Sequence, residues 1–533
     1  MSIIAGFHSG HDCSFCILKD GVPVIHAELE RYIRLKEPID DSVKFLFDKY
    51  SDFDKIDDFT TGIDIWEGGV KHRYPESWEK MQRIAIKNGG KIHTFGHHTA
   101  HAANAFFSSN LDKALIFTMD GGGEELQDNR ILACTFAVYW GEGNKVYRIA
   151  AFDDKGQHPI ANIGSFWTRC TKRIFGLSGG YPKGHQAGTV MGMACLGKPN
   201  YVGDFLNFMR TGEELDYDAF KSIADKSEQD TFDVAASLQL ATEMRYKELL
   251  TPFVKEYNPK NICLSGGVSL NCVMAGKIYD WFPSVEDIYA DPVPYDAGLT
   301  LGSARYLWHH VLDNPRIEWK DNSTPYLGEI YGEDIVKNTL ESFSDKIKIQ
   351  EVDDDFVVDQ LIDKKIVSVF GGGSESGRRA LGNRSILADP RHKETKDIVN
   401  ERVKHRQWFR PFAPSILREE VKNWFTRDIS SPYMSFAIPL KSEVHDKVPA
   451  IVHFDGTARL QTVTENDNAW YYNFIKKFNE KTGVPILLNT SFNDREPIVE
   501  TPEHAIKCFL GTHIDYLYFR EFGLLVERKD ELQ

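Results

Sequence analysis

The apolar positions of this chain fall into short runs that end at glycine or aspartate, separated by longer stretches with helical periodicity. Ile3 to Phe7 predicts a strand. SFCIL and VPVIHAELE, on either side of Asp20-Gly21, predict a β-hairpin, because an Asp-Gly pair favours a two-residue turn. Phe232 to Tyr257 has the period of an amphipathic helix. The alternation of strands and helices predicts a mixed α/β fold.

Further apolar runs predict strands in both halves of the chain. They are ALIFTM at 114–119, NICLSGG at 261–267, IVSVF at 366–370 and VPILLNTSFN at 484–493. The polar stretch from Asp313 to Thr324 is typical of a linker or a surface excursion. We therefore predict a first domain over residues 1–345 and a second over residues 349–533.

The charge and composition of the chain limit its partners. A formal net charge of -15 is unfavourable for binding phosphate backbones, so we predict no nucleic-acid partner. No apolar run reaches membrane-spanning length, and MSIIAGF does not resemble a signal peptide, so we predict no membrane partner. The eight cysteines lie mostly within apolar runs, as expected for reduced thiols of a cytoplasmic protein. The sequence indicates no particular oligomeric state.

Three histidines lie within five residues at the start of the alanine-rich run HHTAHAANAFF. His97 with His101, or His98 with His101, would project from one face of a helix, and either pair suits a metal ion. Asp120 and Asp296 would complete a set of two imidazoles and two carboxylates, which suits Fe(II), Mn(II) or Zn(II). The alternatives are that Asp120 shapes a turn, that Asp296 caps a helix and that no metal binds.

Three glycine-containing turns follow predicted strands in the first domain. They are SGHD at 9–12, DGGGE at 120–124 and SGG at 265–267. Glycine permits close approach of the backbone, and backbone N–H groups at a turn bind anions. The three turns together resemble the phosphate-binding loops of actin-like ATPases. Three ordinary tight turns are the alternative.

The second domain concentrates cations in a chain that is acidic overall. They are Arg378, Arg379, Arg384, Lys404, Arg406, Arg410 and Arg459. Because the guanidinium group pairs well with phosphate and carboxylate, an anionic ligand is one interpretation. Internal ion pairs with the many acidic residues are the other.

In this order, the motifs resemble those of the NodU/CmcH-type carbamoyltransferases. They are GHD at 10–12, ELERYIRLK at 28–36, HHTAHA at 97–102, MDGGGE at 119–124, SGGVSLN at 265–271, SGRRALGNRSILADPR at 376–391, FRPFAPS at 409–415 and LNTSFN at 488–493. The resemblance implies an actin-like (ASKHA) first lobe and a YrdC-like α/β second lobe. It also implies a reaction in two steps. ATP with Mg2+ and carbamoyl phosphate give carbamoyladenylate and pyrophosphate in the second lobe, and the carbamoyl group then passes to a small-molecule hydroxyl in the first.

The resemblance implies roles for single residues. His97, His101, Asp120 and Asp296 match the metal ligands, and the expected metal is Fe(II) or another divalent ion. His11 and Lys36 match catalytic positions beside the carbamoyl and phosphoryl groups, and Lys404, Arg459 and Ser491 match catalytic positions of the second lobe. The remaining matches are nucleotide-binding or carbamoyl-phosphate-binding positions, namely Asp12, Gly122, Gly266, Gly267, Asn271, Arg378, Arg379, Arg410 and Asn489.

The chain departs from many relatives before its Met-Gly run, where Ala187-Gly188-Thr189 replaces Glu-Gly-Lys. The loss of both charges puts the acceptor in doubt, and His185 and Lys183 just upstream are candidates to compensate. Two other functions are considered. A small-molecule kinase on an actin-like scaffold would form ADP and leave the cationic second domain without a purpose. A non-catalytic nucleotide-binding switch would show no turnover.

Overall fold

The computed structural model describes residues 2–63, 69–127, 130–153, 162–318 and 325–529. The chain divides into two compact units, Met1–Thr324 and Pro325–Gln533. We call these units the first lobe and the second lobe.

The first lobe ends earlier than predicted, at residue 324 instead of 345. The backbone N–H of Gly328 donates to the carbonyl of Ser374 at 3.0 Å, and the N–H of Ser376 donates to the carbonyl of Pro325. Residues 325–345 therefore belong with the second lobe, because their backbone is bonded to its glycine-rich loop. Residues 319–324 of the predicted linker lie outside the described residues.

Within the described residues, the strands of the first lobe form two five-stranded sheets and one short hairpin. Their bounds are β1 Ile3–His8, β2 Ser14–Lys19, β3 Val22–Glu28, β4 Asp58–Gly62, β5 Ile92–Phe95, β6 Lys113–Gln127, β7 Arg130–Glu142, β8 Lys145–Asp153, β9 Gly179–Gly180, β10 Gly184–His185, β11 Asn261–Ser265 and β12 Asp287–Ala290. The strand orders are β3-β2-β1-β4-β5 and β12-β11-β6-β7-β8.

One topology occurs in both large sheets. In each sheet the first three strands along the chain form an antiparallel meander. The last two strands of each sheet run parallel to its first strand, β4 and β5 to β1 in one sheet and β11 and β12 to β6 in the other. This duplicated mixed sheet confirms the predicted actin-like first lobe. The predicted hairpin is also confirmed, because Asp20 and Gly21 have φ angles of 47° and 82°, as a two-residue hairpin turn requires.

The helices of the first lobe follow the strands along the chain. Their bounds are α1 Leu29–Ile33, α2 Ser42–Lys49, α3 Gly69–Arg73, α4 Pro75–Asn88, α5 His97–Ser108, α6 Ile163–Arg173, α7 Ala187–Ala194, α8 Val202–Thr211, α9 Tyr217–Ala224, α10 Glu228–Tyr257, α11 Cys272–Trp281 and α12 Leu299–Arg305. The long helix predicted from Phe232 is confirmed. It begins at Glu228 because the Ser227 side chain caps it by accepting from the Asp230 N–H.

Helices α5 and α12 pack closely against each other, and this contact positions the candidate site. A Cβ atom at Gly302 would lie only 1.9 Å from the carbonyl oxygen of Ala100, so glycine permits the approach. Ala102, Ala103 and Phe106 of α5 are fully buried in the same core. The small residues that follow the histidines therefore allow α5 to lie between α12 and its sheet.

The second lobe contains a nine-stranded mixed sheet among its described residues, with the order β13-β21-β20-β14-β15-β19-β16-β18-β17. Its strands are β13 Ile347–Glu351, β14 Val367–Phe370, β15 Arg384–Ala388, β16 Ala413–Leu417, β17 Phe436–Pro439, β18 Thr457–Val463, β19 Ile486–Ser491, β20 Tyr516–Phe519 and β21 Leu524–Arg528. Its helices are α13 Glu333–Glu341, α14 Asp354–Ile362, α15 Glu394–Ile398, α16 Val421–Trp424, α17 Ala469–Thr482 and α18 Pro502–Leu510.

Both lobes combine helices with sheets, so the predicted α/β class is confirmed. The predicted strands at 366–370 and 484–493 are confirmed as β14 and β19. The likeness of the second lobe to YrdC stays a prediction. Among the described residues, no helix has the length and apolar character needed to cross a bilayer.

Candidate active site

Four side chains from three separate segments of the first lobe converge on one point. Helix α5 supplies His97 and His101, strand β6 supplies Asp120, and a turn of 3₁₀-helix supplies Asp296. One ligand atom from each lies within 4.8 Å of all the others. His101 Nε2 lies 3.4 Å from Asp120 Oδ2, and His97 Nε2 lies 3.6 Å from Asp296 Oδ1. The sequence positions matched to metal ligands are therefore brought together.

His98 does not belong to this cluster. Its Nδ1 lies 2.9 Å from the Thr118 hydroxyl, and its Nε2 lies 3.0 Å from the carbonyl oxygen of Cys134. Both ring nitrogens are thus engaged with β6 and β7. The geometry decides between the two histidine pairs that spacing alone left open, in favour of His97 with His101.

The two carboxylates are held in place as a binding site requires. Asp120 accepts the backbone N–H of Gly121 at 2.5 Å through Oδ1 and that of Gly267 at 2.7 Å through Oδ2. Asp296 makes no side-chain cap to the helical turn that it begins. The alternative that Asp296 only caps a helix is therefore wrong. Asp120 does shape its turn, but it also faces His101.

The donor set fits a divalent metal. Burial opposes ionisation of Asp296, yet the charge of the His11 imidazole holds the pKa of its carboxyl well below its usual range. Burial lowers the pKa of His97 to about 3, so its ring is neutral and able to ligate. One buried and one half-buried carboxylate together with two imidazoles form a donor set that suits Fe(II), Mn(II) or Zn(II).

Glu125 fixes the start of the helix that carries both histidines. Its Oε2 accepts the Thr99 backbone N–H at 2.9 Å, and its Oε1 accepts the Thr99 hydroxyl at 2.8 Å. Gly96 precedes α5 without a side-chain cap, and a Cβ there would lie 1.8 Å from Glu125 Oε1. Glu125 thus replaces a local cap. Since Glu125 and Asp120 share β6, one strand supplies one ligand and orients two others.

We expect the Glu125→Gln variant to bind a divalent metal about 10–100-fold more weakly, as for other groups that orient metal ligands. The amide keeps the size of the side chain but can accept only through one oxygen, so α5 loses part of its anchor. Anaerobic titration calorimetry with Fe(II), and with Mn(II), measures the affinity.

Glu142→Gln is the matched control for this prediction. Glu142 ends the neighbouring strand β7, is about half exposed, and pairs with Lys113 at 2.6 Å. Its replacement should leave metal affinity unchanged. Unchanged affinity in Glu125→Gln would show that α5 does not depend on this contact.

His11 and Lys36 lie on the segments predicted for them. His11 Nδ1 lies 2.9 Å from Asp12 Oδ2, and His11 Nε2 lies 3.3 Å from Asp296 Oδ2. Asp12 has a φ of 61°, which turns the chain sharply after β1. Lys36 packs against Gly184, where a Cβ atom would lie 2.9 Å from Lys36 Cδ. The structure thus brings His11 and Asp12 to the metal centre and Lys36 to the β9–β10 hairpin.

The DGGGE segment at 120–124 is not the turn that the sequence predicts. Strand β6 continues to Gln127, and its pairing with β7 shifts between Met119 and Gly123, as at a β-bulge. Gly122 is exposed there with a φ of 152°. The glycines serve the bulge, which turns Asp120 toward α5. A nucleotide-binding role for Gly122 stays a prediction.

The SGG segment at 265–267 does end a strand, as predicted. Gly266 has a φ of 84°, and a Cβ there would lie 2.2 Å from the Met119 carbonyl oxygen. Asn271 caps α11, and its Nδ2 donates to Gln239 Oε1 at 2.9 Å. The backbone N–H of Gly267 is already engaged by Asp120. The predicted nucleotide residues therefore lie directly beside the metal centre.

In the second lobe, the side chain of Lys404 contacts the end of β19. Its buried Nζ donates to the carbonyl of Ser491 at 2.9 Å, and to the carbonyl and the side-chain oxygen of Asn493 at 2.6 Å each. The Ser491 hydroxyl is 3.4 Å from the same Nζ. The structure thus joins two of the predicted second-lobe positions and adds Asn493.

Asn489 is fully buried on the same strand. Its Nδ2 donates to the carbonyl of Ala380 at 3.1 Å and to Gln461 Oε1 at 2.9 Å. Within the described residues, its Oδ1 has no hydrogen-bond partner. A buried acceptor without a donor is costly, so this atom is available to a ligand.

Three guanidinium groups of the second lobe lie close enough to repel one another. Burial, and then the charges of Arg410 and Arg459, hold the pKa of Arg406 well below its usual range. Burial and then Arg459 lower the pKa of Arg410 to about 10. Arg459 belongs to β18, two residues before Gln461, so both side chains project from one face of the sheet. A half-buried group of like charges favours an anion.

The three remaining arginines of the predicted set lie in two different environments. Arg378 and Arg379 lie half-buried on the loop between β14 and β15, as predicted. Arg384 is fully buried, donates to the carbonyls of Gly371 and Gly372 and stacks on Phe370. Its guanidinium therefore fixes the glycine-rich loop, and the ligand-binding interpretation of Arg384 is wrong.

The comparisons with known proteins agree with the division of the chain into two lobes. Residues 39–305 match the family model described as Carbamoyltransferase N-terminus, and residues 358–526 match the one described as Carbamoyltransferase C-terminus. The chain belongs to the carbamoyltransferase family. The first match contains all four clustered metal-type ligands of this carbamoyltransferase, and the second contains Lys404, Arg459 and Asn489.

Relatives match this carbamoyltransferase over most of its length. Nodulation protein NolO of Bradyrhizobium diazoefficiens is 33% identical over 82% of this chain and 80% of its own. An uncharacterised protein of Methanocaldococcus jannaschii is 32% identical over 86% of this chain and 78% of its own. Among solved structures, HypF of T. kodakarensis gives a TM-score of 0.35 at 17% identity, over 60% of this chain and 48% of its own.

Several site residues of the carbamoyltransferase escape sequence reasoning. His8 Nε2 lies 3.9 Å from Asp296, although a single histidine at a strand end carries no signal. Glu125 and Gln461 act across strands and carry no spacing that reveals them. Asn493, in the LNTSFN motif itself, is the one that a closer reading of the motif would have found.

Proposed function

We propose that the chain is an ATP-dependent O-carbamoyltransferase. In the second lobe, water releases phosphate from carbamoyl phosphate, and an oxygen of the resulting carbamate then attacks the α-phosphorus of ATP with Mg2+, which forms carbamoyladenylate as pyrophosphate leaves. In the first lobe, the carbamoyl group passes to a hydroxyl of a small molecule, either a sugar or a natural product. Carbamoyl transfer itself follows from the family, and the adenylate and the acceptor class are the proposed parts.

The observation that carries this proposal is the half-buried group of Arg406, Arg410 and Arg459. Desolvation, and then the charge of the neighbouring arginines, lowers the pKa of the first two. Such a group is relieved by a ligand with several negative charges, and ATP and carbamoyl phosphate are both of that kind. Lys404 and the buried oxygen of Asn489 add a fourth cation and an acceptor for an amide or amine proton.

Adenylation also supplies a chemical reason for two separate sites. A carbamate is a poor electrophile, and joining it to AMP gives it a better leaving group. Cations aimed at the phosphate oxygens stabilise the charge that develops as pyrophosphate leaves. Arg459 and Lys404 are proposed for this role, with Arg378, Arg379 and Arg410 binding the phosphates and Ser491 beside the reacting group.

In the first lobe, His97, His101, Asp120 and Asp296 would hold a divalent ion, for which we propose Fe(II). Such an ion supplies a Lewis acid that polarises an oxygen of the donor or aligns the acceptor hydroxyl. His11 is held between Asp12 and Asp296 and contributes positive charge beside this centre. Lys36 would stabilise charge on the carbamoyl or phosphoryl oxygens, while Gly266, Gly267 and Asn271 would hold the adenylate.

All eight cysteines are free and seven are buried. These thiols suit the reducing cytoplasm that we propose as the location.

The test incubates metal-loaded protein with ATP, Mg2+ and carbamoyl phosphate, without an acceptor. We expect carbamoyladenylate by mass spectrometry and a burst of pyrophosphate that approaches one per chain. Omission of carbamoyl phosphate should abolish both. Formation of ADP without a carbamoyl donor would show that the protein is a kinase. Absence of pyrophosphate from the metal-loaded protein would contradict the proposal.

A further inference from the structure

The first lobe contains a histidine and a carboxylate paired outside the metal centre. His185, in β10, places its Nδ1 2.7 Å from Glu37 Oε2. Its backbone N–H also donates to Glu37 Oε1 at 2.8 Å. The carboxylate side chain is only 2% exposed, whereas the imidazole is 32% exposed. The pair thus has a buried acidic end and an accessible imidazole edge.

Glu37 is held in a conformation that few side chains adopt. Its φ is 54°, in the left-handed region that disfavours residues other than glycine. Its backbone N–H donates to Glu30 Oε2 at 3.1 Å, which ties it back to α1. Strained residues persist where the surroundings fix them, and they are concentrated at functional sites. The carboxylate is therefore presented to His185 in one orientation.

Contacts on both sides connect this pair to the proposed transfer site. Gly184, beside His185, packs on Lys36. The carbonyl of Pro38 accepts the backbone N–H of Cys13 at 3.3 Å, one residue beyond Asp12. The loop that carries Lys36 and Glu37 is thus bonded to the turn that presents His11 to Asp296. The hairpin and the metal centre are joined by a short run of the chain.

We propose that His185 is the base that removes the proton from the acceptor hydroxyl, and that Glu37 is its positioning residue. This inference rests on the proposed function. The contact between Nδ1 and the carboxylate is an ion pair without hydrogen-bond geometry, and the negative charge 2.7 Å from Nδ1 favours a proton on that nitrogen and leaves Nε2 with a lone pair. Within the described residues, Nε2 of His185 has no hydrogen-bond partner.

The step balances in atoms and electrons. The hydroxyl proton passes to His185 Nε2 as the hydroxyl oxygen bonds to the carbamoyl carbon. The bond between that carbon and the phosphate oxygen breaks, and its electron pair leaves with AMP. The products are the carbamoylated acceptor and AMP, and His185 then releases the proton to solvent.

The other imidazoles at this centre are engaged elsewhere. Both nitrogens of His98 contact Thr118 and Cys134, and both nitrogens of His11 face carboxylates. His8 Nε2 lies 3.0 Å from the carbonyl of His11. His97 and His101 face the carboxylates of the metal centre. In the described part of the first lobe, His185 combines a buried carboxylate with an accessible nitrogen.

The test follows both half-reactions in full-length, metal-loaded His185→Gln and Glu37→Gln variants, with glycerol as the hydroxyl probe. We expect the pyrophosphate burst to persist. Steady-state release of AMP and carbamoylated glycerol should fall roughly 100-fold or more in His185→Gln, as for loss of a general base. Hydroxylamine, which attacks without prior loss of a proton, should restore turnover in that variant.

His392→Gln is the matched control, since His392 is 28% exposed and lies 3.7 Å from Asp389 in the second lobe. It should transfer as the wild type does. Transfer to glycerol at the wild-type rate in His185→Gln, or equal loss with glycerol and hydroxylamine, would overturn the role. Absence of the burst from the wild type would instead contradict the proposed function.

A second measurement does not depend on turnover. Nitrogen-15 NMR of histidine-labelled protein reports which ring nitrogen of each histidine is protonated, and His185→Gln identifies the signal. We expect a proton on Nδ1 of His185, and a shift of this preference in Glu37→Gln. A resting proton on Nε2 would overturn the proposal, because that nitrogen could not accept another.

Discussion

The Arg459→Ala variant is expected to lose pyrophosphate release by at least about 100-fold, the loss typical of removing one group that stabilises developing charge. Arg459 lies within the half-buried group formed with Arg406 and Arg410, and its strand carries Gln461, which contacts Asn489. A smaller side chain would remove the charge on the sheet face where we place the phosphates. Single-turnover pyrophosphate assays measure this effect.

The variant also relieves repulsion, and this consequence separates a ligand role from a structural one. If Arg459 serves the ligand, Arg459→Ala should fold with equal or greater stability while losing adenylation, because the neighbouring arginines no longer face a like charge. Arg418→Ala is the matched control, since Arg418 is half-buried in the same lobe and pairs with Asp428. A lower melting temperature together with normal pyrophosphate release would contradict the assignment.

The regular elements of the fold follow from local pattern, and so the sequence predicts them. The hairpin needs only an Asp-Gly turn between alternating strands, and the strands β11, β14 and β19 need only a short apolar run that ends at polar residues. The helix α10 needs only its period and a serine cap. None of these depends on a distant part of the chain.

The duplicated sheet was accessible only through family resemblance. The two five-stranded sheets have one topology, but each is built from its own apolar residues, and no periodic sequence repeat reveals them. The DGGGE segment shows a related difficulty. Glycines serve a turn and a β-bulge equally well, and only the pairing of β6 with β7 decides between them.

Choices between equivalent side chains also needed the structure. Helical spacing allows either His97 or His98 to bind a metal together with His101. The hydrogen bonds of His98 to Thr118 and Cys134 exclude His98 from the metal site. A run of arginines likewise does not distinguish ligand groups from structural ones. Arg384 is fully buried against backbone carbonyls, whereas Arg406 is half-buried, donates to Asn400 and lies near the like charges of Arg410 and Arg459. Such differences arise from packing between distant strands, which local sequence does not encode.

The His97→Ala variant is expected to separate the two half-reactions. His97 lies 3.1 Å from His101 and 3.6 Å from Asp296, so its loss removes one of four donors to the divalent ion. Metal affinity should fall by more than the roughly 10–100-fold expected for a group that only supports a ligand. Carbamoyl transfer should fall with it, while the pyrophosphate burst persists, because adenylation is assigned to residues of the second lobe.

The informative control is the adjacent residue. His98→Asn removes an equally buried imidazole of α5, but one whose nitrogens contact Thr118 and Cys134 instead of the carboxylates. Its melting temperature should fall because buried donors and acceptors lose partners, yet it should still bind one metal per chain by elemental analysis. His97→Ala should show the opposite pattern, with loss of metal and less loss of stability. Equal metal content in the two variants would mean that a different set of side chains binds the ion.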